Sequence, residues 1–432
     1  MQTELQGISR RAQSHKDHRF GGLYSLLNEA NLAACFRMLN KNAAPGVDGI
    51  TYEEYGVNLE TNIKNLNERL KKKCYKTKNI RRKYIPKGST GKMRPLGIPA
   101  LEDKIVQYGE AKILEAIFEA DFKDFSYGYR PGIGAKDAIW ELCRQIQFGP
   151  FSWVVEADIK GFFDNIDHEW LIKMLEKRVD DRAFIGLIRK WLRAGILEET
   201  GTVIHPVTGT PQGGIVSPVL ANIYLHFVMD LWFLKVVKSN CKGKVLIIRY
   251  ADDFVCLFQF SEEAEKFFKE LPERLGKFKL KVAEDKTKML RFSRFEVSES
   301  KSFEFLGFEF RWGRNRKGSS QVKRRTSRKK LRAAVRAFTD WIKTARNIGA
   351  TKILKTLKAK YQGHFNYYGV HGNSKSINGY YEITLKILFK WLNRRSQRKS
   401  YNWTGFKDLL KLNGIIKPKI MEIPSRRKLS FA

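Results

Sequence analysis

Residues 245–258 read VLIIRYADDFVCLF, two apolar runs that close on a pair of adjacent aspartates. Runs of this length around a short polar turn predict a buried β-hairpin. Its arms are Val245 to Arg249 and Phe254 to Phe258, with Asp252 and Asp253 at or beside the turn. Two unit charges about 4 Å apart repel by roughly 4 kcal/mol at an effective dielectric of about 20, and Arg249 is the one base these strands offer to offset them. A bound dication removes that cost. Asp-Asp is also ordinary turn chemistry, so the hairpin alone leaves both readings open.

The 432 residues are 43% hydrophobic, enough to bury a core over several structural units. Lys and Arg number 81 against 45 acidic residues, and the net charge of +36 is spread along the whole chain. A polyanion is the expected partner, with 12% aromatic residues as stacking surfaces for bases. No basic amphipathic anchor near a terminus supports a membrane surface instead. The first twenty residues lack the apolar core of a secretory signal. Val219 to Val237, the longest apolar segment, is interrupted by Asn222, His226 and Asp230, as a buried helix would be. The five cysteines form no CxxC pair, which predicts reduced thiols in a bacterial-type cytosol and no structural zinc.

Upstream, Leu23 to Asn40 and Asn58 to Lys73 show helical spacing, separated by the loop KNAAPGVDGIT. RRKYIPKGSTGKMRPLGIP reads as two short strands around a Gly-Ser-Thr-Gly turn, with Arg81, Arg82, Lys83, Lys87, Lys92 and Arg94 as a clamp for phosphates or a solvated ribbon. Glu102 to Ala120 is an amphipathic helix, and SYGYRPGIG a loop leading to a helix from Ala135. WVVEADI (153–159) is a strand that ends near Asp158, where a buried carboxylate is costly unless paired or metal-bound. Asp164 and Asp167 read as turn and helix N-terminal residues, and His168 as structural. GTPQGGIVSPVLANIYL places a Gly-Gly loop before a helix that starts near Ser217 and Pro218.

Beyond the aspartates, Glu262 to Leu275 is helical, LKVAEDKTKMLRFS is strand, turn and strand, and FEFLGFEFRW alternates as a strand with an aromatic side. From Val322, KRRTSRKKLR opens a helical region, with further helices at Ile353 to Tyr361 and Tyr381 to Trp391. A basic run is often a solvated face; beside Tyr361, Phe365, Tyr367 and Tyr368 it reads as a nucleic-acid contact.

Asp158, Asp252 and Asp253, on two buried strands with a Gly-rich loop between them in sequence, form a hard oxygen set suited to magnesium and phosphoryl transfer. The surrounding blocks are ADIKGFFDNIDH, TPQGGIVSPVLANIYL, IIRYADDFVCLF, RRKYIPKGSTGKMRPLGIPALEDK, FSYGYRPG, EDKTKML, FEFLGFEF and APGVDGIT. Together they resemble the group II intron reverse transcriptase/maturase family over about residues 20 to 395.

The resemblance implies an α+β fold of right-hand polymerase architecture, with fingers, a palm carrying an antiparallel sheet, and an α-helical thumb or maturase region. The expected boundaries are 1–150 for the N-terminal extension and fingers, 151–320 for the palm, 321–396 for the thumb and 397–432 for a short basic tail. It also implies two Mg²⁺ ions, with Mn²⁺ as a substitute, held by Asp158, Ile159, Asp252 and Asp253, the three aspartates being catalytic. Lys87, Arg94, Ile159, Phe163, Gln212 and Lys286 would contact the nucleotide, Phe163 as the gate against a 2′-hydroxyl. Lys323, Arg324, Arg325, Arg328 and Lys329 would contact nucleic acid, and Ala43 to Thr51 would form a lid over the template.

The expected partners are an RNA template, intron RNA foremost, a DNA primer or target and deoxynucleoside triphosphates, with no membrane. No Cys-pair and His pattern of an appended HNH endonuclease is present. Two rival roles share these motifs: a domesticated enzyme of repair, phage defence or spacer acquisition, and a non-catalytic RNA-binding maturase.

Overall fold

The computed structural model describes residues 1–86, 93–211, 213–298, 300–394 and 400–422. They form two compact units from interleaved stretches of chain. One comprises Met1–Pro86, Met93–Gly134 and Ala157–Met289; the other comprises Ala135–Glu156 and the described residues from Leu290 onward. Helices and strands alternate irregularly, which bears out an α+β class.

In the first unit, Val245–Tyr250 and Asp253–Phe258 pair antiparallel with Tyr250 opposite Asp253, so the loop is Ala251-Asp252 alone. The predicted hairpin is therefore present, each arm one residue longer toward the turn. Ile247, Ile248, Val255, Cys256 and Leu257 are buried, as uninterrupted apolar strands require. Ala251 takes φ 56°, a positive value usually met by glycine.

The helix from Ser217 to Asn240 begins as α-helix (Ser217–Leu225) and widens into π turns at His226–Asp230 and Phe233–Val237. It is long and apolar enough to cross a membrane by length and composition, but its apolar window is 72% buried inside the protein. The expected buried helix is what forms.

The basic hairpin pairs Ile80–Pro86 with Met93–Ile98, and Ile196–Leu197 and Val203–Ile204 extend its sheet. It is less bare than its composition implies, because Arg82 and Lys83 pair with Glu198 and Glu199. The helix expected from Leu23 to Asn40 is divided into a 3₁₀ turn at Leu23–Leu26 and a helix at Glu29–Met38. Asn28 causes the break: its side chain accepts from the Asn31 N–H at 3.0 Å and caps the second piece.

The second unit corrects four expectations. FEFLGFEFRW is a hairpin of two strands, Phe303–Phe305 and Phe308–Arg314, because Leu306 and Gly307 both have positive φ (48° and 78°) and turn the chain. Ser320–Thr326 adds a third strand, so Lys323, Arg324 and Arg325 lie in a sheet and not in a helix. The Arg328–Ala345 helix starts only after Ser327, whose side chain caps it. Tyr361 and Phe365 are core residues, 0% and 1% exposed, and offer no stacking platform.

Finally, the stretch expected as a short basic tail carries the Trp403–Leu412 helix. Its Phe406 and Leu410 join Phe338, Ile353, Leu357 and Leu388 in one core. Burial of such side chains contributes about 1.5–3 kcal/mol each, so this helix is structural.

Candidate active site

Asp158 directly follows the Trp153–Ala157 strand, and an isolated bridge joins Ile159 to Val282. Its hydrogen bonds run from Lys160 N–H to Lys281 O (2.9 Å) and from Ala283 N–H to Asp158 O (2.8 Å). The LKVAEDK strand expected here is thus a single bridge followed by a turn at 283–287. In such a pair the Ile159 carbonyl points away from the 281–283 segment, which leaves its oxygen on the far side of the chain. The turn presents Lys286, whose Nζ forms an ion pair with Asp158 Oδ2.

Asp252 is half-buried, and Asp253, at the start of its strand, is exposed. Burial pushes the Asp252 carboxyl above the usual carboxylate range; its own backbone N–H opposes the shift, the Asp158 charge adds to it, and Arg94 and Lys286 act against it. Lys286 is in turn held above the ordinary lysine value, first by its hydrogen bond to Asp158. Asp252 therefore feels the charges of Asp158, Arg94 and Lys286, Lys286 feels that of Asp158, and the Asp253 field reaches Lys286 and Tyr129.

Among the described residues no three His, Cys, Asp or Glu side chains close into a preformed metal cage. Lys286 supplies the counter-charge at Asp158 that the sequence assigned to a dication. The donors are still of the right kind: carboxylate oxygens, with the Asp252 carboxyl raised first by burial and then by the Asp158 charge, suit a hard divalent cation.

Arg249 does not compensate the aspartate pair, as the sequence allowed. It is fully buried and bound in a two-point ion pair to Asp230.

Arg94 is exposed on its strand, and its field also reaches Tyr129 and Asp164. Phe163 follows Gly161, which has positive φ; its ring packs edge-on against Tyr129 at 6.2 Å, and its carbonyl accepts from the Thr210 N–H at 2.7 Å. The Gly-Gly loop is more than a connector. A Cβ at Gly213 would collide with the Gly97 carbonyl, and buried Gln107 accepts from the Ile215 N–H at 3.0 Å. His168 is structural as expected, donating to Gly209 O at 2.7 Å, and Asp167 caps its helix. Lys87 and Gln212 lie outside the described residues.

The expected nucleic-acid contacts separate by burial. Arg324 is 6% exposed, bound to both oxygens of Glu422 (2.7 and 2.6 Å) and to His371 O, so it is a structural residue. Arg325 is paired across the strands with Glu309 at 2.7 Å. Arg328 and Lys329 are exposed, and half-buried Lys323 lines a shallow cleft with Arg314, Arg316 and Lys317. Across the sheet Lys323 stands directly opposite Arg311, a like-charged rung that repels unless an anion lies on it.

Sequence reasoning missed Gln107, Ser126, Gly128 and Tyr129. It noticed Asn222 and Asp230 only as interruptions of an apolar run, although polar residues placed in a buried helix are themselves a sign of a paired internal network.

The family described as reverse transcriptase (RNA-dependent DNA polymerase) matches residues 85–310. The chain is 31% identical to the group II intron-encoded protein LtrA of Lactococcus lactis subsp. cremoris, over 87% of this chain and 74% of that protein. It is 33% identical to protein YkfC of Escherichia coli K12, over 67% of this chain and 82% of that one. A putative COX1/OXI3 intron 1 protein of Saccharomyces cerevisiae is 40% identical over 40% of this chain and 20% of its own length.

Proposed function

This chain belongs to the reverse transcriptases, with group II intron-encoded proteins among its relatives, and we propose that its RNA-directed DNA polymerase works through Asp158, Asp252 and Asp253. The observation that carries the residue assignment is the two-residue Ala251-Asp252 turn, which holds one carboxylate within the field of Asp158 while Lys286 and Arg94 act on the same group.

In this reading Asp158, Asp252 and the Ile159 carbonyl, with Asp253 beside them, would hold two Mg²⁺ ions. Such ions would supply Lewis-acid activation of the primer 3′-hydroxyl and charge neutralisation for the leaving pyrophosphate. The protein's own part is binding and orientation. Arg94, with Lys87 and Gln212, receives the triphosphate, and Lys286 offsets carboxylate charge beside the primer. Phe163, backed by Tyr129 and fastened through its carbonyl to Thr210, crowds the sugar edge and selects deoxynucleotides.

The fingers, palm and thumb are assigned to 1–150, 151–320 and 321–396. Template and intron RNA are gripped by Arg328, Lys329 and the bare rung of Arg311 and Lys323, while Arg324 and Arg325 serve the fold. Binding of intron RNA by the last region gives the protein its second role, assistance of splicing and mobility, in line with its intron-encoded relatives.

Purified protein given Mg²⁺, a primed RNA template and deoxynucleotides is expected to make cDNA. Asp252→Ala should lose synthesis and keep RNA binding; wild-type cDNA yield from that variant overturns the assignment.

A further inference from the structure

We propose that Arg249 is a positioning residue for polymerisation: its buried guanidinium ties the catalytic turn to the Asp230 helix and to the Phe125–Tyr129 loop, fixing where Asp252 stands. The inference rests on the polymerase reading above.

A guanidinium has five N–H donors, and here all five are used. Nε donates to Asp230 Oδ1 (2.7 Å), and Nη2 donates to Asp230 Oδ2 (2.6 Å) and Ser126 Oγ (2.7 Å). Nη1 donates to Asn222 Oδ1 (3.1 Å) and to the carbonyl of Ala251 (3.1 Å), the residue before Asp252. Arg249, Asp230 and Ser126 are 0% exposed, and Asn222 1%.

The partners are cross-linked in turn. Asn222 Nδ2 donates to Gly128 O at 2.7 Å. The main chain of Arg249 donates to Phe125 O (2.9 Å) and accepts from the Tyr127 N–H (2.8 Å). Gly128 lies against the Ala251 backbone so closely that a Cβ there would overlap it. His226, 3.9 Å from Asp230, is pushed down to about 4 by burial, so it stays neutral and leaves the carboxylate to Arg249.

Stability alone does not account for this arrangement. A buried ion pair is often replaced by apolar residues of similar volume with no loss of stability. What such a replacement cannot supply is a donor on the Ala251 carbonyl. That bond matters because Ala251 holds a left-handed φ that only its surroundings maintain. Lysine fails as well, since its three donors lack the planar fork that reaches four residues at once.

The test compares the double variant Arg249→Met/Asp230→Leu with wild type in primer extension, alongside thermal unfolding and template-primer affinity. The double variant is expected to fold and to bind template-primer as wild type does, with KM for deoxynucleotide little changed and kcat at least about ten-fold lower, as sub-ångström to ångström misplacement of a reacting group predicts. A stable double variant with wild-type kcat overturns the inference. Should it fail to fold, Arg249→Lys serves in its place. It keeps a cation beside Asp230 but lacks the fork that also reaches Ser126, Asn222 and the Ala251 carbonyl; a folded Arg249→Lys with wild-type kcat is equally fatal. Asp252→Ala run in parallel separates the two readings: synthesis by that variant sinks the polymerase assignment, whereas a silent Asp252→Ala beside a fully active double variant sinks only the positioning role.

Discussion

Adding one methyl group at Gly128 tests how tightly the catalytic turn is held. An ideal Cβ there would lie 3.0 Å from Tyr250 C and 3.1 Å from Ala251 Cα, and closer still to the Ala251 nitrogen. Carbon contacts settle at about 3.5–4.0 Å, and all three neighbours are main-chain atoms that cannot rotate away. Either the loop or the turn must move by about 1 Å. Overpacking of this kind costs about 1–3 kcal/mol, and displacement of a catalytic group by about 1 Å can lower kcat about 100-fold. Gly134 is the control, because a Cβ there meets nothing within 4 Å. Single-turnover primer extension with Gly128→Ala and Gly134→Ala, together with urea denaturation of each, measures both quantities. The expected result is a wild-type rate for Gly134→Ala and a Gly128→Ala that stays folded and extends primers about 100-fold more slowly. A folded Gly128→Ala with the wild-type rate would refute the claim that this close approach sets the position of the turn.

Phe163→Ala should raise incorporation of ribonucleotides relative to deoxynucleotides, read as the ratio of kcat/KM values, and an unchanged ratio removes Phe163 as the gate. Arg324→Ala should destabilise by about 3–5 kcal/mol by leaving Glu422 buried and unpaired, with the salt dependence of RNA binding unaltered. Lys329→Gln should do the reverse, keeping stability and reducing the slope of log affinity against log salt by about 0.7–0.9. Asp103, 2% exposed and pushed up to about 7 by burial, holds a proton in the native state that the unfolded chain releases near pH 4. Its contribution is therefore greatest in acid and is lost as pH rises from about 4 to about 7. Between about pH 5 and pH 7 this amounts to roughly 2 kcal/mol. Asp103→Asn should flatten that part of the stability profile in denaturant titrations.

What could be read from residues alone was local in chain distance. The aspartate hairpin is legible because its apolar arms and its turn are contiguous, and the cap at Asp167 and the buried helix from Ser217 follow from short patterns. Arg249 is the opposite case. Its ion-pair partner lies 19 residues away and its hydroxyl partner 123 residues away, separations over which no periodicity operates, so a base beside two acids was the natural pairing and the wrong one. The KRR stretch misled for another reason: charge density hid a period of two, in which Val322, Arg324 and Thr326 turn inward and Lys323 and Arg325 outward. Aromatic content likewise does not distinguish a stacking platform from a core, and Tyr361 and Phe365 belong to the core. Chemistry by resemblance reached further than geometry did, naming the carboxylates and Lys286 but giving the lysine a nucleotide to contact and not the Asp158 carboxylate it faces.

The π turns at His226–Asp230 make the length of that helix a counted quantity. In a regular α-helix, eight residues run about 80° past two full turns, so Asn222 and Asp230 would face different directions. A π turn takes up roughly one extra residue and absorbs most of that offset, which lets both side chains meet the same guanidinium. Deleting any one residue between them would leave a perfectly good apolar helix with its acid facing the wrong way. The register of this segment, more than the identity of its apolar side chains, is therefore what brings Asn222 and Asp230 to one guanidinium.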